Sequence, residues 1–167
     1  MNSTNALWEE QVATLWSSLD EFEPAVFIAQ LELLLAELEP GSAIALFERG
    51  AAHDSTGQAA LAIPLYEAAL RTGLSGLRRR RAVIQMASSL RNLGNAQRAE
   101  EMLRAELQLP RDELTEAVRA FLALALVDLG REREAVAVSL QALSTYLPRY
   151  NRSLARYAEQ VNKAVAK

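Results

Sequence analysis

Cysteine is absent from the chain, histidine occurs once, and residues 1–40 contain no lysine or arginine. The first absence excludes disulfides, thiolate nucleophiles and cysteine-based zinc sites together, and it is compatible with a reducing cytoplasm, the expected location. A single histidine cannot supply the clustered imidazoles of a typical transition-metal site, and neither a metal nor another cofactor is expected. Aromatic residues make up 6% of the chain, and glycine and proline number seven and five among 167 residues. With half the residues hydrophobic, that balance favours helices packed through small side chains over strands or disorder. Long apolar runs are also missing. The longest, Ala120 to Val127, is bounded by Arg119 and Asp128 and falls far below the ~20 residues a membrane span needs. No basic stretch followed by an apolar core opens the N-terminus. A soluble protein with no membrane partner is expected.

What is present is unevenly charged. Residues 1–40 hold eight acids, Glu9, Glu10, Asp20, Glu21, Glu23, Glu32, Glu37 and Glu39; subtracting them from the total of 21 leaves 13 acids against 18 bases after residue 40, a balance of +5. An acidic head precedes a mildly basic body. The run Arg78 to Arg81 is the densest charge cluster, and four cations near a helix N-terminus oppose the dipole by a few tenths of a kcal/mol each. The acidic head, a neighbouring molecule or an acidic ligand would compensate them. Nucleic acid is not an expected partner, because the pI is near 5.3 and no aromatic residues interleave with the basic run.

The helical period is visible along most of the chain. Leu7, Trp8, Val12, Leu15, Trp16 and Leu19 predict an amphipathic helix over 5–19, and Pro24 suits the first turn of a second that runs to about Leu38. Pro40 and Gly41 stop it, and Ser42 is a good N-cap for the next. From Ala43 the chain can be laid against itself by its turn glycines, Gly57, Gly94 and Gly130, spaced 37 and 36 residues apart. Seven residues before each lies Gly50, Ala87 or Ala123. Five after each lies Ala62, Ala99 or Ala135, and thirteen after each lies Leu70, Leu107 or Leu143. Such a register predicts helical hairpins closed by left-handed glycines, held close by small residues, with the leucines filling the remainder. One hairpin cannot bury its own apolar face, so neighbours must stack. Stepping back 37 residues from Gly57 makes the N-terminal pair a degenerate fourth unit, with Ala13, Ala25 and Leu33 in the repeat slots. After Pro148 a last helix, with Tyr150, Leu154, Tyr157, Val161 and Val165 on one face, is expected to cap the stack. The organisation expected is one domain over 1–167: a helix pair over 1–41, three repeats over 42–147 and a cap over 148–167.

These residues resemble the tetratricopeptide repeat, through Gly50, Ala62, Tyr66 and Ala69 in the first unit, Ala87, Leu90 and Ala99 in the second, and Ala123, Leu126, Ala135 and Ala142 in the third. No tryptophan opens a unit, Leu103 and Ser139 replace the aromatic of the second helix, and the period exceeds the 34 residues of the family, which implies longer helices or turns. The resemblance implies an all-α fold, a right-handed α-α superhelix of helix-turn-helix units. It further implies a groove lined by the first helix of each unit, here Phe47 and Asp54, then Arg81, Gln85, Ser88, Arg91 and Asn92, then Ala120, Phe121 and Leu124. The clamp by which some members take C-terminal carboxylates is not matched, since Phe47, Ala51, Ala117 and Phe121 occupy its places.

No catalytic constellation accompanies the repeats. His53, Asp54 and Ser55 are adjacent and point about 100° apart on a helix, so they cannot converge on one reacting atom; His53 occupies the slot of Leu90 and Leu126 and is expected to pack as a polar filler. Glu100 with Glu101, and Asp112 with Glu113, are read as helix-start acids that favour the macrodipole. Gly73-x-x-Gly76 lacks the lysine and preceding strand of a phosphate loop and is read as an inter-repeat turn. The function expected is therefore a non-enzymatic adaptor or scaffold that binds a protein or peptide in the groove. The alternatives are self-association, in which the acidic helices with Trp8 and Trp16 meet the basic body of another copy, and, by resemblance in length and acidic balance, a chaperone of the type III secretion kind.

Overall fold

The computed structural model describes residues 5–163, and every regular element among them is helical. In order these are α1 (Ala6–Ser17), a single 3₁₀ turn (Leu19–Glu21), α2 (Pro24–Leu35), α3 (Ala43–Ser55), α4 (Ala59–Arg71), α5 (Gly76–Asn92), α6 (Ala96–Glu106), α7 (Thr115–Asp128), α8 (Glu132–Ser144) and α9 (Asn151–Lys163). The all-α class expected from the sequence is the one observed. The chain forms two compact units, Met1–Gln85 and Met86–Lys167, with the boundary inside α5.

The glycine register holds. Gly57, Gly94 and Gly130 have φ of 81°, 82° and 70°, and all three turns close with the same pair of hydrogen bonds. Gln58, Asn95 and Arg131 donate their N–H to the carbonyls of His53, Leu90 and Leu126 at 2.7–2.8 Å, while the glycines donate to Asp54, Arg91 and Val127. This is the Schellman closure, which needs a left-handed residue that glycine adopts without steric cost. Gly73, with φ of 92°, repeats it after α4 by way of Leu74 and Ala69. The extra length over the family period sits in the 17 residues of α5 and in the connection 107–114.

In the first unit, α1 and α2 form an antiparallel hairpin. The Trp8 indole near the start of α1 donates to the Leu34 carbonyl near the end of α2 at 2.8 Å, whereas the Trp16 ring at the end of α1 lies 5.0 Å from Phe27 near the start of α2. Large residues pack this pair: Trp8, Val12, Phe27, Leu31 and Leu35 are buried, while Ala13, Ala25 and Leu33 are exposed. The slots projected from Gly57 therefore do not mark its interior. Leu7, expected on the buried stripe, is exposed as well, and α2 ends at Leu35 rather than Leu38. Ser42 caps α3 by accepting from the Ala45 N–H at 3.3 Å.

Between α3 and α4 the interior is filled by an aromatic pair, Phe47 and Tyr66, with ring centroids 6.2 Å apart and both side chains fully buried. Gly50 is the slot that admits Tyr66, since a β-carbon there would meet two atoms of the ring at 2.9 Å. Beside this core lies a polar network. Glu48, 1% exposed, accepts from Arg78 Nε and from the Trp16 indole, each at 2.9 Å. Arg78 then grips Glu9 with both terminal nitrogens at 2.9 and 2.6 Å, its guanidinium 5.8 Å from the centre of the Trp8 ring. The first arginine of the basic run is thus compensated by the acidic head of its own chain. Burial works against the charged guanidinium, yet the hydrogen bonds it donates to Glu9 and Glu48 outweigh it and raise the Arg78 pKa above the ordinary arginine value.

In the second unit, Met86, Ala87, Ser89 and Leu90 at the end of α5 are buried, with Ala99 and Leu103 of α6, Val118, Leu122, Ala125 and Leu126 of α7, and Ala135, Ala137 and Ala142 of α8. The leucines thirteen residues past the glycines do not fill the interior as expected: Leu143 is exposed, and Leu70 and Leu107 are half-buried. The last helix packs on α8 through Ala158, buried, with Leu154 and Val161 half-buried, whereas Tyr150 and Tyr157 face solvent and Val165 lies outside the described residues. Leu154 and Val161 thus keep to the expected stripe, Ala158 is buried in place of Tyr157, and Tyr150, at φ 66°, lies ahead of the helix.

Gly50→Ala should lower stability: helix propensity returns about 1 kcal/mol, but overpacking against a buried ring costs about 1–3 kcal/mol, and a drop in melting temperature by circular dichroism checks the net sign. Arg78→Met strands the buried Glu48 carboxylate and should cost about 3–5 kcal/mol in urea unfolding, with part recovered when Glu48→Gln is added; an unchanged midpoint in the single variant would remove the network from the account of stability.

Candidate functional site: an apolar trough on the third hairpin

The positions that carry the aromatic pair can be traced through the repeats. Ten residues before the turn glycine stand Phe47, Ile84 and Ala120, and nine after it stand Tyr66, Leu103 and Ser139. The first two hairpins thus hold large side chains at both positions, and all four are buried. The third holds alanine and serine, both exposed. A trough of about 480 Å³ opens there. Ala120, Ala123, Leu124 and Val127 of α7 line one side, and Ala135, Val136, Ser139, Leu140 and Ala142 of α8 the other, with Glu132 at one end. Leu124, Val127 and Val136 remain about half exposed, as is Leu143 nearby on α8. The Ser139 hydroxyl donates to the Ala135 carbonyl of its own helix at 2.8 Å, so the trough floor carries little unmet polarity.

The wall formed by α8 is fixed by a cluster of charges at its N-terminal turn. Glu100, 6% exposed at its side chain, accepts from Arg104 and Arg131 at 2.6 Å each. Arg131 reaches Glu134 at 2.6 Å, and Arg104 closes the ring onto the same carboxylate. Glu100 is thus held by two guanidinium groups, which corrects its reading as a helix-start acid that needs only the macrodipole. Burial alone would raise the Glu134 carboxyl, but the hydrogen bonds from Arg104 and Arg131 dominate and hold it below the ordinary value of 4.5.

The residues expected to share a groove have different surroundings. Phe47 is fully buried in the first unit with the Arg81 guanidinium 5.2 Å from its ring centre, so it packs and presents no free surface. Asp54 accepts from the Tyr66 hydroxyl at 3.4 Å, and burial, reinforced by the Asp54 charge, pushes that hydroxyl far above its usual pKa. Gln85 is half-buried, with an Oε1 that has no hydrogen-bond partner among the described residues. Arg91 is engaged, its Nε donating to Asp128 at 2.6 Å. Ser88 is half-buried and Asn92 exposed. Phe121 is half-buried beside the trough in sequence without lining it, while Leu124 is part of the wall. Val127, Val136 and Leu140 were not anticipated. The signal for Val127 was the continuous apolar run Ala120 to Val127, which covers more of α7 than one buried stripe requires. His53 is half-buried with Nδ1 unpartnered among the described residues, consistent with a packing role. No group of three or more His, Asp or Glu able to hold a metal occurs among the described residues, and no described helix is long and apolar enough to cross a membrane.

Glycine-closed helical hairpins in a shared register, one of them carrying an open apolar trough, define a helical repeat protein. A family model described as Tetratrico peptide repeat matches residues 43–161. The chain belongs to this repeat family, whose members generally mediate protein–protein interaction. The match begins at the first residue of α3, so the α1–α2 hairpin lies outside it. No curated protein and no solved structure matches the chain.

The depressed Glu134 pKa has a definite sign for stability. Its contribution is complete above the unfolded value of about 4.5 and is lost as pH falls through the lower folded value. The urea midpoint of Glu134→Gln should therefore change less than that of the parent protein as pH is lowered from 6 to 3; parallel pH profiles would count against the ring of charges.

Proposed function

We propose that this protein is a non-enzymatic interaction module that holds a protein or peptide segment by taking one large apolar side chain of the partner, preferably aromatic, into the α7–α8 trough. The observation that carries this reading is the internal comparison: where the first hairpin places Phe47 and Tyr66 from its own sequence, the third has Ala120 and Ser139 and a space of about 480 Å³. The partner completes what the chain leaves unfilled. Leu124, Val127, Val136 and Leu140 would grip the sides of the inserted group, and burial of an aromatic anchor in such a pocket is the usual origin of a binding hot spot. Apolar residues dominate the lining, with Glu132 the one charged residue in it, which favours a polypeptide over nucleic acid.

The test fills the trough from within. Ala120→Phe combined with Ser139→Tyr recreates the pair of the first hairpin. The variant should melt higher, by about 1–3 kcal/mol of added stability from partly buried rings, and should lose binding to aromatic-containing peptides selected from a random displayed library against the parent protein. Peptides that bind the filled variant as tightly as the parent would refute the site.

A further inference from the structure

A second apolar groove lies on the α1–α2 hairpin, distinct from the trough above. Leu7, Leu15, Phe22, Leu33 and Leu34 form its apolar surface, with a volume of about 670 Å³. Leu7 and Leu33 are 65% and 67% exposed, unusual for leucines facing each other across a hairpin. Single exposed leucines need no explanation, but a contiguous apolar groove does. The hairpin that carries it has acidic residues and no lysine or arginine of its own. Of the eight acids before residue 40, Glu9 is held by Arg78 and Glu32 by Arg49. Glu10, which lines the groove, and Asp20, Glu21, Glu23, Glu37 and Glu39 have no ion pair among the described residues.

The complementary surface is on the same chain's last helix. The exposed side of α9 and the turn before it present Tyr150 and Tyr157 together with Arg149, Arg152 and Arg156. Arg156 lies 5.5 Å from the centre of the Tyr157 ring, and Arg152, Ser153 and Arg156 border a shallow notch. None of the three arginines has an ion pair among the described residues, and they cluster at the end of a helix where the dipole is itself positive. One surface is thus apolar with uncompensated carboxylates, and the other is aromatic with uncompensated guanidinium groups.

We infer that the α1–α2 groove of one copy binds the exposed tyrosine–arginine face of α9 of a second copy. Leu7, Phe22 and Leu33 would cover Tyr150 and Tyr157, and Glu10 with its neighbours would meet the arginines. Two acidic grooves would repel each other, so charge excludes the symmetric head-to-head pair and selects the head-to-tail contact. A contact of this kind uses different patches on the two partners and leaves one of each free, so it propagates unless the geometry closes a ring.

Mixing two blocked chains tests this. Leu33→Arg disables the groove and Tyr157→Asp disables the helix face; both positions are exposed, so both variants should keep the parental circular dichroism. In sedimentation velocity the parent's mean mass should rise above 18.4 kDa with concentration and fall back in 0.5 M salt. Each variant alone should remain at the monomer mass, and the equimolar mixture should reach twice that mass and stop there, since only one competent junction remains. A parent that stays monomeric at all concentrations overturns the inference. So does a Tyr157→Asp variant that associates like the parent, or a mixture that does not dimerise. Filling the α7–α8 trough with Ala120→Phe and Ser139→Tyr should leave this association unchanged, which separates failure here from failure of the proposed peptide site.

Discussion

The close approach of the two helices in each repeat governs the rest of this protein. A left-handed glycine closes the turn, and the small residues Gly50, Ala87 and Ala123 before it and Ala62, Ala99 and Ala135 after it are all buried. Backbones brought this near leave a defined space beyond the point of contact, and interiors do not tolerate such spaces without loss of dispersion contacts. The first hairpin fills it with Phe47 and Tyr66, and the second buries Ile84 and Leu103 at the same positions. The third, built on the same closure, leaves it open. A packing constraint shared by three units thus yields an open apolar trough in one of them through two side chains.

Charge is distributed by a similar division of labour. Glu48 is buried at a helix junction where a lone carboxylate would be untenable, and it is held by Arg78 and Trp16. Glu9 takes up the rest of the same guanidinium, which ties the acidic N-terminal helix to α3 and α5 through a single residue. Pairs of this kind define an arrangement more than they add net stability, because the desolvation of each ion offsets much of the attraction. Glu32 is held by Arg49, whereas Glu10, which lines the groove between α1 and α2, and the exposed Asp20, Glu21, Glu23, Glu37 and Glu39 have no such partner among the described residues.

The hairpins and their glycines were legible because the same offsets recur three times, and recurrence averages out the coincidences of an Ala- and Leu-rich chain. The leucine slots were less so. Thirteen residues past the glycine lies the last turn of the second helix, where burial depends on the element packed beyond it, and Leu143 is exposed. On α9 the expected Leu154 and Val161 are half-buried, but the small Ala158 is buried in place of Tyr157, and Tyr150 lies ahead of the helix at a positive φ that no periodicity reports. Of the expected groove, Ala120 and Leu124 line the trough, while Phe47 is in the core and Arg91 is tied to Asp128. Those positions were laid out from the common habit of the family, whereas the trough is a departure from it. The departure itself, Ser139 at the slot of Tyr66, was visible in the sequence; that it leaves an opening depends also on Ala120 opposite, and the two lie 19 residues apart.

Trp8 and Trp16 account for both tryptophans of the chain, and both lie in Met1–Gln85 within the same polar junction. Their indole emission therefore belongs to one half of the molecule alone, whereas the far-ultraviolet signal of the helices belongs to both. The protein carries its own pair of independent reporters: coincident loss of the two signals marks a chain that unfolds as one cooperative body, and loss of one before the other marks two units that unfold in turn.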